Sequence, residues 1–182
     1  MTKTMHDRDD LIVRKVEWLF HVIPLNKLRE TNKVTFELVP SFNNIDAVDI
    51  VTHQPWARSP WSVWDKDNLW YMHNGQEDNL VTFSGTRFVE LYNKEHWVIE
   101  KFEVSHAQIK WNGEVILDRA GILGWPTWVF HRPYSPEWSV SMNFAVRNDT
   151  FDIDTEFNIY DVDTTTGAYE VVRLGKLDQP NQ

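Results

Sequence analysis

The chain contains no cysteine, which excludes disulfides and thiolate metal sites. It has no apolar run approaching the roughly 18 residues of a membrane-spanning helix. Its opening, MTKTMHDRDDLIVRKVEW, lacks the apolar stretch and small-residue cleavage site of a secretory signal. The expectation is a cytoplasmic protein. Positive charge is in deficit: 18 Lys and Arg stand against 27 Asp and Glu, a formal net charge of −9. Such a surface repels phosphate backbones and anionic lipid, and no basic cluster offsets it. Neither nucleic acid nor membrane is an expected partner. Also missing are a Gly-x-Ser-x-Gly elbow, a P-loop, a dinucleotide fingerprint and a His-Glu-x-x-His pair. Nucleotide and serine-hydrolase chemistry therefore lose support.

What the chain does have is the length of one domain, 182 residues, and an unusual supply of tryptophan, ten in all. Four of these lie between Trp56 and Trp70. Aromatic side chains serve cores, subunit interfaces and ligand pockets alike. Leu11 to Leu28 has mixed periodicity and could carry a short helix interrupted by Pro24. From Asn32 onward the pattern is that of strands. Val34, Phe36 and Leu38 alternate with Thr35, Glu37 and Val39. Residues 53–68 form a Pro/Trp loop. Asn74-Gly75 and Asn112-Gly113 are hairpin signals, and Ser84-Gly85 marks a further turn. Strands are expected over Leu80–Phe83, Thr86–Tyr92, Trp97–Val104, Gln108–Trp111, Glu114–Leu117, Phe151–Tyr160 and Tyr169–Leu174, ending in a loose tail, LDQPNQ. The cleanest alternation is Trp138 to Arg147. One face carries Trp138, Val140, Met142, Phe144 and Val146; the other carries Ser139, Ser141, Asn143, Ala145 and Arg147. That second face is small and polar, which suits a wet cavity. Many short strands at regular spacing indicate an all-β sandwich or closed barrel, and closure removes exposed sheet edges.

Two clusters could carry chemistry: Tyr71-Met72-His73 followed by Gln76-Glu77-Asp78 and Gly85, and Gly121 through Pro126 to His131. Their spacing resembles the two-motif signature of the cupin family. The first motif of that family runs His-x-His, three or four residues, Glu, six residues, Gly. With His73 as its second His, Asp78 and Gly85 fall in register. The second motif runs Gly, five residues, Pro-x-Gly-x-x-His, which Pro126 to His131 matches. Tyr71 replaces the first His, Trp128 replaces the second motif's internal Gly, and Gly121 stands one residue too close to Pro126.

The resemblance implies a cupin-type jelly-roll barrel (double-stranded β-helix) over about residues 34–160, within a single domain covering the whole chain. Residues 1–30 would form an N-terminal arm and 161–182 a C-terminal extension, both suited to packing in a homodimer or larger homo-oligomer. It also implies one divalent transition metal (Fe, Mn, Ni, Cu or Zn) held by His73, Asp78 and His131. Neighbours on a strand face opposite ways, so only one of Glu77 and Asp78 can enter the barrel. Spacing to Gly85 favours Asp78; a bulge would reverse the choice, and an earlier strand start would bring in Gln76. Tyr71 could donate a proton and Asn143 or Ser141 could orient a substrate carbonyl or carboxylate. Arg87 and Arg147 are candidate anchors for an anionic group. His21, His96 and His106 follow no spacing pattern; His53 opens the Trp-rich loop and is the exception to watch. The function expected is a metal-dependent enzyme (oxygenase, isomerase or lyase) acting on a small organic metabolite in a Trp-lined barrel. The alternative is a metal-free binding protein or sensor using the same cavity.

Overall fold

The structure, a computed structural model, describes residues 11–40 and 44–178. The first ten residues of the expected arm and the last four of the expected tail lie outside the described residues. In chain order the strands are β1 (Arg14–Val16), β2 (Phe20–Pro24), β3 (Asn26–Thr31), β4 (Val34–Leu38), β5 (Ala47–His53), β6 (Trp70–Tyr71), β7 (Gln76–Ser84) and β8 (Thr86–Tyr92). They continue with β9 (Glu100–Ser105), β10 (Ile109–Trp111), β11 (Glu114–Leu117), β12 (Gly121–Trp125), β13 (Phe130–Tyr134) and β14 (Ser139–Arg147). A short helix α1 (Ile153–Glu156), β15 (Ile159–Asp163), β16 (Ala168–Arg173) and a 3-10 turn at Gly175–Leu177 complete the order.

Two antiparallel sheets carry the fold. One has the order β1-β2-β12-β7-β14-β5 and the other β11-β10-β9-β8-β13-β6-β15-β16. The chain passes between the sheets from β7 to β8 through Gly85. Gly85 adopts φ +69°, and a Cβ there would lie 2.3 Å from the Trp138 carbonyl oxygen, so the motif glycine is required both by conformation and by space. The Asn112-Gly113 hairpin forms as expected between β10 and β11, with both residues at positive φ, the geometry of a type I′ turn.

Four expectations change. Leu11–Leu28 holds strands and no helix. β2 is buried along its whole length between β1 and β12, and a strand covered on both faces shows no alternation to read. That strand belongs to the sheet, not to an arm outside it, while β3 and β4 form a separate exposed hairpin. Asn74-Gly75 does not close a hairpin: β6 pairs with β13 and β15, whereas β7 pairs with β12 and β14. Residues 151–160 contain α1 before β15. Asp152 caps that helix, its side chain accepting from the Asp154 N–H, as Asp does at helix starts.

Apolar side chains fill one part of the space between the sheets. Phe20, Val22, Leu91, Phe102, Val104 and Leu123 are central there, all essentially without solvent exposure. The remaining part is lined by polar inward faces. On β14, Ser139 and Ser141 are fully buried, as the small polar face of that strand required. The tryptophans mostly do not face inward. Trp70 and Trp125 are buried, but Trp18, Trp56, Trp61, Trp64, Trp97, Trp128 and Trp138 are exposed. Among the described residues no helix is long and apolar enough to cross a membrane.

Trp128 has φ +67°. The structure thus explains why the resembling motif has glycine here: the position calls for a left-handed backbone, which costs a side-chain-bearing residue about 1–2 kcal/mol. Trp128→Gly is expected to be more stable than Trp128→Ala by about 1 kcal/mol, the opposite of the usual Gly–Ala order in strands and helices. Urea unfolding of the two variants checks this.

Candidate functional site

A cavity of about 200 Å³ opens in the polar part of the barrel. His73, Gln76, Asp78, Arg87, Trp125 and His131 form its depth, all buried. Half-buried Asp49, Ser59, Tyr71, Asn143 and Phe157 form its rim. A larger groove of about 360 Å³, between Phe88, Glu90, Lys101 and Tyr134, lies elsewhere. Its Glu90 is already paired with Arg132 and Lys101, so it offers no free charge cluster.

His73, Asp78 and His131 meet at the cavity floor, with one donor atom from each lying within 4.8 Å of the others. His73 Nε2 stands 3.3 Å and His131 Nε2 3.8 Å from Asp78 Oδ2. β7 supplies the carboxylate, β13 supplies His131, and His73 comes from the crossing between β6 and β7. The other polar atoms of all three residues are already committed. His73 Nδ1 donates to the Glu156 carbonyl at 2.5 Å, and His131 Nδ1 donates to the Val129 carbonyl at 3.2 Å. Asp78 Oδ1 accepts from Gln76 Nε2 at 2.9 Å and from Asn143 Nδ2 at 2.6 Å. What turns to a common point is one Nε2 on each ring and one carboxylate oxygen, with His73 Nε2 already against Asp78 Oδ2.

The chemistry of that donor set fits a metal ion. An ion bonded at about 2.0–2.2 Å spreads its ligands to roughly 3.0–3.6 Å from one another; the two separations from Asp78 Oδ2 lie near that range, and all three atoms lie within 4.8 Å. Histidines that bind metals donate their second nitrogen to a carbonyl or carboxylate, which fixes tautomer and ring orientation; both rings do so here. Burial, and then the neighbouring His73 charge, bring His131 down to about 4, so it is neutral and able to coordinate at physiological pH. Burial alone would drive His73 toward the neutral form and Asp78 toward the acid. Their mutual attraction outweighs this in both, raising His73 and lowering Asp78. The same oxygen and the same nitrogen can therefore share a proton or an ion.

The remaining expected residues sort clearly. Glu77 is turned to the other face of β7, accepting from Asn79 Nδ2 at 3.1 Å; there is no bulge at this point, so strand alternation decides for Asp78. Tyr71 lines the rim, its ring centroid 6.1 Å from that of His131. Burial raises its phenol above the usual range, so it stays protonated. Asn143 is a positioning residue: its Oδ1 accepts from the Asn79 N–H at 2.8 Å while its amide holds Asp78, leaving little for a substrate. Arg147 lies over the Phe151 ring and donates to Gln76, whereas Arg87 reaches the cavity. The Trp-lined barrel reduces to one residue, Trp125, 5.2 Å from His131 between ring centroids; Trp61 and Trp64 border a separate groove.

Of two further residues at the site, Glu156 had no sequence signal and His53 only its place at the start of the Trp-rich loop. Glu156, fully buried, accepts the Gly75 N–H at 2.9 Å, and its Oε2 lies 3.6 Å from His73 Nδ1. It is 83 residues from His73 along the chain, and no periodicity links them. His53 is buried and borders the cavity. Burial, and then the Arg87 charge, hold it down to about 4, whereas an unfolded imidazole titrates near pH 6.5. Between those values the unfolded chain binds more protons, so this contribution to stability is complete above about pH 6.5 and is lost as pH falls toward 4. His53→Gln is expected to lose less stability on acidification than the parent, by about 1–2 kcal/mol after screening by rim water. Urea titrations at about pH 7 and pH 4.5 measure it, and parallel acid losses would refute the assignment.

Comparison with known proteins agrees with this architecture. No protein-family profile matches the chain, and no curated protein sequence does. Among solved structures, it is similar to the QdtA 3,4-ketoisomerase from Thermoanaerobacterium thermosaccharolyticum, solved in complex with TDP. Identity is 14% and the TM-score 0.50, over 76% of this chain and 85% of that one. It is similar to a dTDP sugar isomerase from Desulfovibrio desulfuricans G20 at 13% identity and TM-score 0.50, over 77% and 89% of the two chains. A capsular polysaccharide assembling protein, CapF, from Staphylococcus aureus aligns at 15% identity and TM-score 0.43. That alignment covers 75% of this chain but only 31% of CapF.

Proposed function

On a cupin-type, all-β jelly-roll fold, we propose a metal-dependent enzyme that acts on a small organic molecule in the barrel cavity, with His73, Asp78 and His131 as ligands of one divalent ion. The observation that carries this reading is the convergence of two Nε2 atoms and one carboxylate oxygen whose partner atoms are all held by other groups. When bound, a divalent ion in such a set would polarise a substrate oxygen, leaving coordination positions open to it.

The protein supplies the rest. Gln76 and Asn143 hold the Asp78 carboxylate in one orientation. Leu80, Trp125 and Phe157 wall the cavity with apolar surface, which limits water and strengthens polar contacts inside. Tyr71, protonated at the rim, can give a proton to a substrate oxygen. These groups move protons more readily than electrons, and the isomerase names of two solved neighbours support the same side of the choice between isomerase or lyase and oxygenase chemistry.

Elemental analysis of protein purified from metal-supplemented cells tests the reading. A near-stoichiometric transition metal is expected, lost in His73→Ala and His131→Ala variants that remain folded. A second reading rests on the His73–Asp78 contact, which satisfies both groups without an ion: a metal-free enzyme or binding protein. Metal-free protein that binds its ligand equally well after chelation would establish that reading and end the first.

A further inference from the structure

The same cavity is lined by Arg87, a side chain with about 1% exposure. It comes from β8, where Arg87, Val89 and Leu91 face inward in alternation. One guanidinium nitrogen donates to the Ser141 hydroxyl at 2.9 Å and to the Val51 carbonyl at 3.1 Å. Both acceptors are neutral, and Nε has no partner. Among the described residues no carboxylate pairs with Arg87. Asp49, the one carboxylate besides Asp78 that borders the cavity, makes no ion pair and stays at the rim. Around this cation stand further unsatisfied polar atoms. His53, in the cavity lining, has a buried Nδ1 without a partner, and Thr82, whose Cα is paired with Ser141 across β7 and β14, has a buried hydroxyl without one behind the wall. Buried charges are ordinarily paired, because desolvating a lone one is costly. A cation left unpaired beside a cavity, with donors idle around it, is the arrangement of a receptor for an anion.

We infer that Arg87, with His53 beside it, binds the carboxylate of the cavity's ligand, so that the substrate is a small organic monoacid. The inference rests on the functional reading of this cavity and adds the substrate class. Among the described residues Arg87 is the one cationic side chain of the lining without a carboxylate partner, whereas His73 faces Asp78; a single carboxylate matches it. At about 200 Å³ the cavity has the volume of some six or seven water molecules in the liquid, room for a compact acid with an apolar body against Val51 and Leu80. Ser141, which holds Arg87, and Asn143, which holds Asp78, are two residues apart on β14, about 7 Å along a strand. One small molecule can span both.

The test is calorimetric and uses chelator-treated protein, so that no acid is held through a metal. Benzoate, phenylacetate and 3-methylbutanoate are each titrated against the corresponding amide, with inorganic phosphate as a further probe. The acids are expected to bind at least about tenfold more tightly than their amides, since hydrogen bonds to charged groups outweigh neutral ones. Arg87→Met should abolish that preference, acid and amide then binding alike, and Arg87→Lys, which keeps the charge without the fork, should retain part of it. If Arg87→Met does not fold, the acid–amide ratio of the parent and the Arg87→Lys value decide. Equal affinity for acid and amide, a preference that survives Arg87→Met, or tighter binding of phosphate than of every acid overturns the inference. An acid preference lost in His73→Ala and His131→Ala but kept in Arg87→Met would also overturn it, by placing the carboxylate on the ligand cluster. Protein that carries no metal as purified from metal-supplemented cells, yet shows Arg87-dependent acid binding, would leave this inference standing while removing the metal reading.

Discussion

Asp78→Asn is expected to lower metal affinity by at least about 100-fold and to remove the activity that depends on it, because it deletes the single anion of the ligand set. The substitution keeps an oxygen for Gln76 and Asn143 to hold, so the local hydrogen bonds of β7 survive. What changes is the atom aimed at the two rings: an amide N–H₂ replaces Oδ2. Breaking one half of a buried ion pair costs about 3–5 kcal/mol. Here His73 can shed its proton, which burial favours, and the expected loss is about 2–3 kcal/mol. The pH dependence identifies the cause. Asp78 is lowered below its unfolded value near 4, so its contribution is present above that pH and is lost as pH falls. His73 is raised above its unfolded value near 6.5, so its contribution is present below that pH and is lost as pH rises through the raised value. In metal-free protein the gap between parent and variant is therefore widest between about pH 4 and 6.5 and narrows on both sides. Denaturant titrations across that range measure it, and a gap independent of pH would show that the pair is not ionised.

Glu156→Ala is expected to destabilise the protein by about 2–4 kcal/mol, while Glu156→Gln changes stability by less than about 1 kcal/mol. The alanine leaves the buried Gly75 N–H without an acceptor and opens a void beneath His73; glutamine keeps the acceptor oxygen. Because the Glu156 carbonyl also fixes His73, displacement of α1 should lower metal affinity by about 10- to 100-fold, the usual effect of losing a residue that orients a ligand. Chelator competition, run beside the unfolding measurements, separates the two effects. Retention of full metal affinity in a destabilised Glu156→Ala would confine this residue to a structural role.

The legibility of the fold and of the site differed, for physical reasons. Strands with one wet face announced themselves: Ser139, Ser141 and Asn143 on β14 alternate with apolar neighbours, and Ser141 and Asn143 do line the cavity. Strands covered on both sides did not, and β2 was read as helical because Phe20 to Pro24 has no polar face to expose. The floor of the site was visible through spacing, since Asp78, Gly85 and His131 sit where the resemblance puts them. Its supports were not. Glu156 reaches His73 only through tertiary packing, with nothing in sequence to mark it, and His53 was marked only by opening the Trp-rich loop. Tryptophan misled most. An aromatic-rich segment suggests a lined pocket, yet residues 56–64 turn outward, and Trp56, Trp64 and Trp128 all sit in left-handed turns.

This outward placement divides the chain's light emission into two populations. Indoles already in water emit at long wavelength before and after unfolding, so seven of the ten add a background that hardly shifts when structure is lost. Trp70, lying under the Arg132 guanidinium at 4.0 Å, and Trp125, beside His131, supply the blue component. Aqueous quenchers such as iodide will silence the first population and spare the second. What then remains includes Trp125, an indole in the cavity wall beside His131, together with Trp70 and half-buried Trp111.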